Sequence, residues 1–485
     1  MPRRESDEAN EAVEANEAVD FDILARAARA ATRYREAVAA DTGQPAASYA
    51  TCRQAWHGPT PETGAGAEET IDALIALAEP GLHPTTGARF FGWVVGASHP
   101  VGVAADWLTS AWGQNCGNHL GAPSAAAAEE TAARWLLDIL RLPAGASVGF
   151  VTGATMASFA CLAAARSHVL QQAGWDVEAQ GLFGAPEIHV LVGDDAHTSI
   201  LATLRLLGLG RDRVKRVPAG PDGAMLVPQF RAVLASCEGP AIVIAQAGQI
   251  NTGAFDPVPE MLPDIRARGA WLHVDGAFGL WARACPETAP LAAGFEGADS
   301  WATDGHKWLQ TPYDCGYAIV AHPDAHRRAL TAAASYLPPA DVDERDPSQY
   351  VPELSRRARG FATWAMLRHL GREGIAGMVS RHCRLARRMA ARLEREPGIA
   401  VLNSVSLNQV IAGFGTGEDD AEAGRLTREV IARVQSAGDC YVGGARWKGR
   451  EAMRVSVISW PTGEDDIDRA ADSIIDAWRT VSRHR

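Results

Sequence analysis

Paired cysteines are what this sequence most plainly lacks. The eight cysteines, at 52, 116, 161, 237, 285, 315, 383 and 440, include no CxxC, so neither a zinc site nor a thioredoxin-like pair is indicated. Across 485 residues they are too few for a disulfide scaffold. Scattered reduced thiols in a cytoplasmic protein are the expectation. An excess of positive charge is missing too, with 46 Lys and Arg against 58 Asp and Glu for a formal net charge of −12. Phosphate backbones are bound by clustered Lys and Arg, so nucleic acid is a poor partner for this surface and a small molecule a better one. The opening stretch, MPRRESDEANEAVEANEAVDFD, is acidic and has no apolar core, which is unlike a secretory leader. Its NEAV echo is too brief to be a structural repeat and reads as a solvated arm. One uncharged run, LPAGASVGFVTGATMASFACLAAA at 142–165, is long enough to span a bilayer, but Gly, Ser, Thr and Pro interrupt it. A buried strand, a glycine turn and a buried helix explain it better, and a soluble chain without membrane contact is expected.

With 47% hydrophobic and 21% charged residues, the composition is that of a globular protein and excludes a disordered, collagen-like or coiled-coil chain. Seven short apolar runs recur between 147 and 321: SVGFVTG, EIHVLVG, RVKRVPAG, AIVIAQAG, WLHVD, DSWATD and GYAIVAH. They are mostly continuously apolar, as strands buried on both faces of a mainly parallel sheet are. Helical patterns such as SILATLRLLGLG and VPEMLPDIRARG lie between them, which indicates an α/β layer architecture. Residues 21–80 read as mostly helical, broken by HGPTPETGAGAEE. The polar, proline-containing stretch 337–352 predicts a mobile surface loop, and a long helix is expected from 354 to about 395. The boundaries drawn are 1–80, 81–370 for a large α/β domain, and 371–485 for a smaller α+β domain containing LNQVIAGFG, AMRVSVIS and a final amphipathic helix from Glu464.

Four segments carry candidate chemistry. In SWATDGHKWLQTPYDCG, residues 300–316, Lys307 stands between His306 and Trp308 just past a buried strand. Desolvation there would depress its pKa, as an imine-forming lysine requires; a surface lysine beside a core tryptophan is the alternative. In WLHVDGAFGLW, Asp275 ends an apolar strand, where α/β folds bind ligands, although a helix cap or a buried ion pair would also suit it. In FVTGATMASFACLAAAR, the strand–turn–helix passage at Gly153, Ala154 and Thr155 would let backbone N–H groups close on a phosphate, or would simply pack. In GDDAHTSI, His197 lies just beyond a strand.

Together and in this order, these segments resemble the group II pyridoxal-phosphate-dependent amino-acid decarboxylases, the family of the aromatic-L-amino-acid, glutamate and histidine enzymes. The resemblance extends from RFFGWVVGASHPVGVAADWLTSAWGQN to MRVSVISWPTGEDDID, with GAFDP, HVDGAFG and HKW in register. It implies a fold type I transferase architecture, with a seven-stranded mainly parallel sheet in the large domain, a smaller C-terminal α+β domain and a helical N-terminal segment. It implies pyridoxal 5'-phosphate as cofactor, no metal, and a homodimer in which the N-terminal segment packs on the partner. Lys307 would form the Schiff base with the cofactor aldehyde, and Asp275 would keep the pyridinium nitrogen protonated. His197 would cover one ring face and Ala277 the other. Gly153, Ala154, Thr155 and His306 would hold the phosphate, with Asp304 nearby. Asn251 and Thr252, in GQINTGAFDP, and the C-terminal Arg454 would lie near the substrate.

The expected reaction is decarboxylation of an L-amino acid, aromatic or otherwise apolar, to the amine. Two departures bear on it. Gln249 stands where many members carry Thr, and Pro347 falls at about the position of the loop tyrosine that helps protonate Cα. Tyr336 and Tyr350 are the tyrosines nearby, and neither is in register. That motivates a second reading, decarboxylation coupled to oxidative deamination, giving an aldehyde. A carbon–carbon lyase acting on a phosphorylated amino alcohol, and a regulatory protein with degraded catalysis, are further alternatives.

Overall fold

The computed structural model describes residues 21–40, 44–332 and 344–483. They divide into two compact units, with the boundary at Gly87 and Ala88. In the first unit, helices Asp22–Ala40, Tyr49–Trp56 and Ala67–Ala78 follow the helical pattern read from the sequence. Ser48 caps the second by accepting from the Thr51 N–H at 3.2 Å, as short hydroxyl side chains do at helix starts. Arg26 and Asp72 join the first and third helices at 2.8 Å. The second and third helices contain no buried residue, so this unit has little core of its own.

In the second unit all seven apolar runs become strands: β1 (Ser147–Val151), β2 (His189–Gly193), β3 (Lys215–Val217), β4 (Ala241–Gln246), β5 (Trp271–Asp275), β6 (Ser300–Asp304) and β7 (Gly316–Val320). They form one sheet in the order β1-β7-β6-β5-β4-β2-β3. The pairs β2/β3, β2/β4, β4/β5 and β5/β6 are parallel, and β7 alone runs against its neighbours. β1, β4, β5, β6 and β7 are buried at every position. Layers over both faces leave no solvent side on which polar residues could alternate. Helix Ala154–Gln172 lies against this sheet through fully buried Ala157, Ala160, Cys161 and Ala164, small side chains that allow a close approach.

The expected long helix spans Arg359–Leu393 and is interrupted at Gly371, where φ is +60°. Before that residue, Met366 and Leu367 belong to the core beneath the large sheet. Further along, Leu385, Ala386 and Met389 belong to a second core. That core is formed with β8 (Ile399–Val401), β9 (Gln409–Phe414), β10 (Gly443–Trp447) and β11 (Arg450–Ser456), an antiparallel sheet in the order β10-β11-β9-β8. Helices Asp420–Ala437 and Glu464–Arg483 cover it. Among the described residues, no helix is long and apolar enough to cross a membrane.

The surface loop expected over 337–352 requires correction. Its first part, with Tyr336 just before it, lies outside the described residues, but 344–352 is built into the body of the unit. Asp346, Pro347, Tyr350 and Val351 are buried. The Tyr350 carbonyl occupies the space that a side chain at Gly149 would need. The segment reads as polar, yet its charged groups have partners: Asp346 meets His119 Nδ1 at 2.8 Å, Arg345 meets Glu129 at 3.3 Å, and the Arg345 guanidinium lies over the Tyr350 ring at 4.3 Å.

The fully buried pair Arg356–Glu129 anchors the chain just beyond that segment. Arg356 donates to Glu129 at 2.8 Å, to the Cys116 carbonyl at 2.9 Å and to the Phe150 carbonyl of β1 at 2.7 Å. Arg345 also meets Glu129 at 3.3 Å, so removing Arg356 leaves that buried carboxylate with one longer ion pair, at a cost toward the lower end of ~3–5 kcal/mol. Arg356→Met should therefore lower the free energy of urea unfolding by about 3 kcal/mol, and Glu129→Leu, which strands both Arg356 and Arg345, should lower it further. A single variant within ~0.5 kcal/mol of the parent would show the pair to be energetically silent.

Candidate active site

Parallel strands deliver their C-terminal ends to one edge of the sheet, and the candidate residues leave from that edge. β1 runs into Gly153, β2 into Asp194–His197, β4 into Gln249–Thr252, and β5 ends on Asp275; β6 ends on Asp304 and continues into His306 and Lys307. Asp304 is 2% exposed and organises the centre. Its Oδ2 lies 3.1 Å from Lys307 Nζ, while its Oδ1 accepts the Ala154 N–H at 2.6 Å and lies 3.5 Å from His306 Nε2. The Trp281 indole donates to its carbonyl at 3.0 Å.

His306 Nδ1 accepts from the Cys315 N–H at 3.3 Å, which leaves Nε2 carrying the proton toward Asp304 in the neutral ring. Burial lowers the His306 pKa, keeping the ring neutral, though Asp304 opposes this. Tyr313 stacks on the ring at 4.2 Å. Trp308 turns away into the core, donating to His382 Nδ1 at 3.0 Å, whereas Lys307 remains partly open to the cleft with Nζ 6.0 Å from the Phe278 ring centroid.

Asp275 is 8% exposed. It accepts a long 3.4 Å bond from the Ala277 N–H and makes no ion pair among the described residues. Burial pushes its carboxyl upward, with His197 and Lys307 pulling the other way. His197 caps helix Thr198–Leu206, its Nδ1 receiving the Ser199 N–H at 3.3 Å and lying 2.7 Å from the Ser199 hydroxyl. Its pKa is lowered by the protein packed around it, against the pull of Asp275. The charged residues that shift His197 and Asp275 are one another, Lys307, Asp304 and Arg454, so these groups lie close enough to act on one another.

Asn251 and Thr252 are held by Gln249, whose Oε1 accepts both backbone N–H groups at 2.6 and 3.1 Å. Arg454, on β11, donates to Asn251 Oδ1 at 3.3 Å, and its buried Nε has no protein partner. Burial lowers its pKa. Thr252 is placed differently from the expectation: its hydroxyl donates to the Asp222 carbonyl at 2.6 Å and so serves the turn. Ala154 likewise has its N–H taken by Asp304, leaving the first-turn N–H of Thr155 and those after it for a ligand. Tyr350 does not face this cleft; its hydroxyl lies 3.3 Å from Arg327.

The family model of the pyridoxal-dependent decarboxylase conserved domain matches residues 67–412. The chain belongs to that family. It is 28% identical to the L-2,4-diaminobutyrate decarboxylase of Rhizobium meliloti over 88% of this chain and 85% of that one. It is also 28% identical to tryptophan decarboxylase 1 of Oryza sativa subsp. japonica over 82% of each, and 24% identical to a phenylacetaldehyde synthase of a Rosa hybrid cultivar over 84% and 82%. The fold matches the crystal structure of Oryza sativa TDC with PLP and tryptamine with a TM-score of 0.88 at 21% identity, covering 96% of this chain and 99% of that one. A pyridoxal-dependent decarboxylase is a carboxy-lyase acting on amino acids, and its cofactor is pyridoxal phosphate.

The residues present fit that cofactor. Asp275 is a buried carboxylate without a cation, which a pyridinium would supply. The turn at Gly153 is a cradle a side chain would fill, since an ideal Cβ would meet His306 Cε1 at 3.1 Å and Asp304 Oδ1 at 3.3 Å. Three supporting residues escaped the sequence reading. A Cβ on Gly316 would lie 2.5 Å from Gly153 Cα, and one on Gly96 would collide with the His306 and Lys307 carbonyls. Gln310, fully buried with φ at +61°, donates to the Lys307 and Ile458 carbonyls at 2.8 Å and accepts from the Ala97 N–H at 2.8 Å. Their signal lay in backbone proximity, which a single sequence does not display.

Gly316→Ala should therefore displace the Gly153 turn. Cofactor affinity, read from absorbance after dialysis, should fall roughly ten-fold, equivalent to ~1.4 kcal/mol, with the circular dichroism unchanged. Gly145→Ala, which meets nothing within 4 Å, should match the parent. Equal retention in both variants would show that the contact does not shape the cradle.

Proposed function

We propose that this chain decarboxylates an aromatic or other apolar L-amino acid, with Lys307 as the lysine that holds the cofactor. The observation that carries the assignment is the meeting of a half-buried ammonium, Lys307, and an unpaired buried carboxylate, Asp275, at adjacent strand ends. When bound, pyridoxal phosphate supplies a ring that takes up the electron pair left at Cα as carbon dioxide departs. Asp275 holds a proton at the ring nitrogen and so sets the ring's electron demand. His197, neutral and fixed by Ser199, covers one face, and Ala277 the other. Gly153, Thr155 and His306 hold the phosphate, with Asp304 keeping Lys307 and His306 in place. Asn251 and Arg454 receive the substrate carboxylate, for which the poorly partnered guanidinium is suited.

The aromatic preference is supported by relatives named for tryptophan and tyrosine decarboxylation. Relatives with aldehyde products, such as the Rosa phenylacetaldehyde synthase, keep the oxidative outcome as the second reading, and the inward placement of Tyr350 favours it. We further read the protein as a cytoplasmic homodimer divided at about 80 and 370. Eight free cysteines, seven of them buried, suit a reducing compartment. Trp107, Leu108, Trp112 and Leu120 are exposed at 44, 49, 51 and 65%, a patch suited to a partner chain. Light scattering showing a stable, active monomer would remove the dimer.

The assignment is tested chemically. Borohydride reduction and peptide mapping should place the pyridoxyl adduct on Lys307. Stranding the pyridinium without its carboxylate costs ~3–5 kcal/mol, part of which appears as a weaker electron sink. Asp275→Asn should therefore slow carbon dioxide release by roughly 10²–10⁴, while the cofactor stays attached. A panel of amino acids with carbon dioxide, amine, ammonia and peroxide measured together separates amine from aldehyde. An adduct on another lysine, or near-parental release by Asp275→Asn, would end the assignment.

A further inference from the structure

The chain has three lysines among 46 basic residues, Lys215, Lys307 and Lys448. Lys448 stands where a lysine is poorly suited. The β10–β11 hairpin turns through Lys448 and Gly449, with Trp447 opposite Arg450. Both turn residues have positive φ, +46° and +85°. That is the geometry of a type I′ turn, whose first position favours Asn, Asp or Gly. The Lys448 ammonium crosses to the large domain and pairs with Asp195 at 2.5 Å, two residues before His197.

The hairpin tip needs such an anchor. β9 pairs with β11 over Met453–Ser456, so the outer part of the hairpin projects beyond its neighbour. Trp447 packs with Ile411 and Ala452 beneath it, Arg450 meets Asp420 at 3.0 Å on the small-domain side, and Lys448 makes the connection to the large sheet. The contacts then close a ring. Asp195 binds Lys448 through its side chain, and its carbonyl accepts from Gln249 Nε2 at 3.2 Å. Gln249 holds the Asn251 N–H at 2.6 Å, Asn251 accepts from Arg454 at 3.3 Å, and Arg454 lies on the same hairpin as Lys448. Gly223 fits inside this ring, where an ideal Cβ would lie 2.7 Å from the Trp447 ring and 3.2 Å from Gln249 Cγ.

We infer that Asp195 and Lys448 form an interdomain latch that positions Arg454 against Asn251, and through it sets the affinity for the amino-acid carboxylate. Neither touches the reacting atoms; both are positioning residues. The inference rests on the reading of Arg454 as a carboxylate-binding residue. Opening the latch frees the hairpin tip and loosens Arg454 without disturbing Lys307 or Asp275, so the substrate is held less well while the step after binding is unchanged.

The test uses the cofactor-loaded full chain and the variants Asp195→Asn, Lys448→Gln and Lys448→Arg, with the exchanged pair Asp195→Lys and Lys448→Asp. Two quantities are read: hydrogen exchange of backbone amides in 443–456, and KM and kcat with the best substrate of the panel. A partly exposed ion pair contributes at the scale of a few-fold change. In Asp195→Asn and Lys448→Gln, amide exchange at the tip should rise about five-fold and KM should rise about five-fold, with kcat within about two-fold. Lys448→Arg, which keeps the charge, should stay near the parent, and the exchanged pair should recover part of both losses. Unchanged tip exchange in Lys448→Gln would overturn the latch. Faster exchange with unchanged KM, or a fall confined to kcat, would overturn its link to substrate binding. Should no amino acid be decarboxylated by the parent, the functional reading fails, while the exchange data still decide whether the latch exists.

Discussion

The site depends on one buried carboxylate. Asp304 ends β6 at the centre of the sheet, and its two oxygens are divided between Lys307 on one side and the Ala154 N–H with the His306 ring on the other. Burying a carboxylate costs free energy unless it is paired, and Asp304, 2% exposed, has as partners an amine, a helix N-terminus and an imidazole ring. The same interactions therefore tie Lys307 and His306 to the start of helix Ala154–Gln172. Its neighbour Asp275, at the end of β5, is buried without a cation.

Holding that arrangement requires backbone to approach backbone more closely than side chains permit. Gly316 at the start of β7 lies directly against Gly153, and Gly96 lies against the carbonyls of His306 and Lys307. Gln310 then ties the lysine segment to residue 97 on one side and residue 458 on the other, using both ends of its amide. Lys307 is thus located by three stretches of chain far apart in sequence. A lysine side chain has many rotamers, and crowding of this kind is how its terminus is confined without an ion pair at every position.

The strands and the catalytic edge were legible in the sequence because both follow from local pattern. Continuous apolar runs give buried parallel strands, and the residues at their ends lie at one edge of the sheet; Asp275, Lys307 and His197 were singled out there, whereas Asp304 came only with the family resemblance. What was not legible depended on contacts across long separations. Gly316 reads as an ordinary strand glycine, Gln310 as a polar loop residue, and Tyr313 as an aromatic six positions past the lysine. Thr252 was expected near the substrate, and its hydroxyl is taken by the Asp222 carbonyl. The stretch before Arg356 reads as a solvated loop because it is rich in charge. Its described part is buried because those charges find partners in Glu129 and His119, which no local window contains.

The two ends of the cleft are built differently, and this bears on how such a fold changes substrate. The cofactor end is assembled within one sheet, from strand termini fixed by the parallel register and by glycine contacts that tolerate no side chain. The proposed substrate end draws on both sheets: the turn at Gln249–Thr252 follows β4 of the large one, and Arg454 lies on a hairpin of the four-stranded one. A change in hairpin length or turn chemistry moves Arg454 without straining the register that holds Lys307 and Asp275. Relatives of this chain include proteins named for diaminobutyrate, tryptophan and tyrosine decarboxylation. On the proposed assignment, a cofactor end held within one sheet beside a substrate residue carried on a separate hairpin would let one scaffold take side chains so different in size and charge.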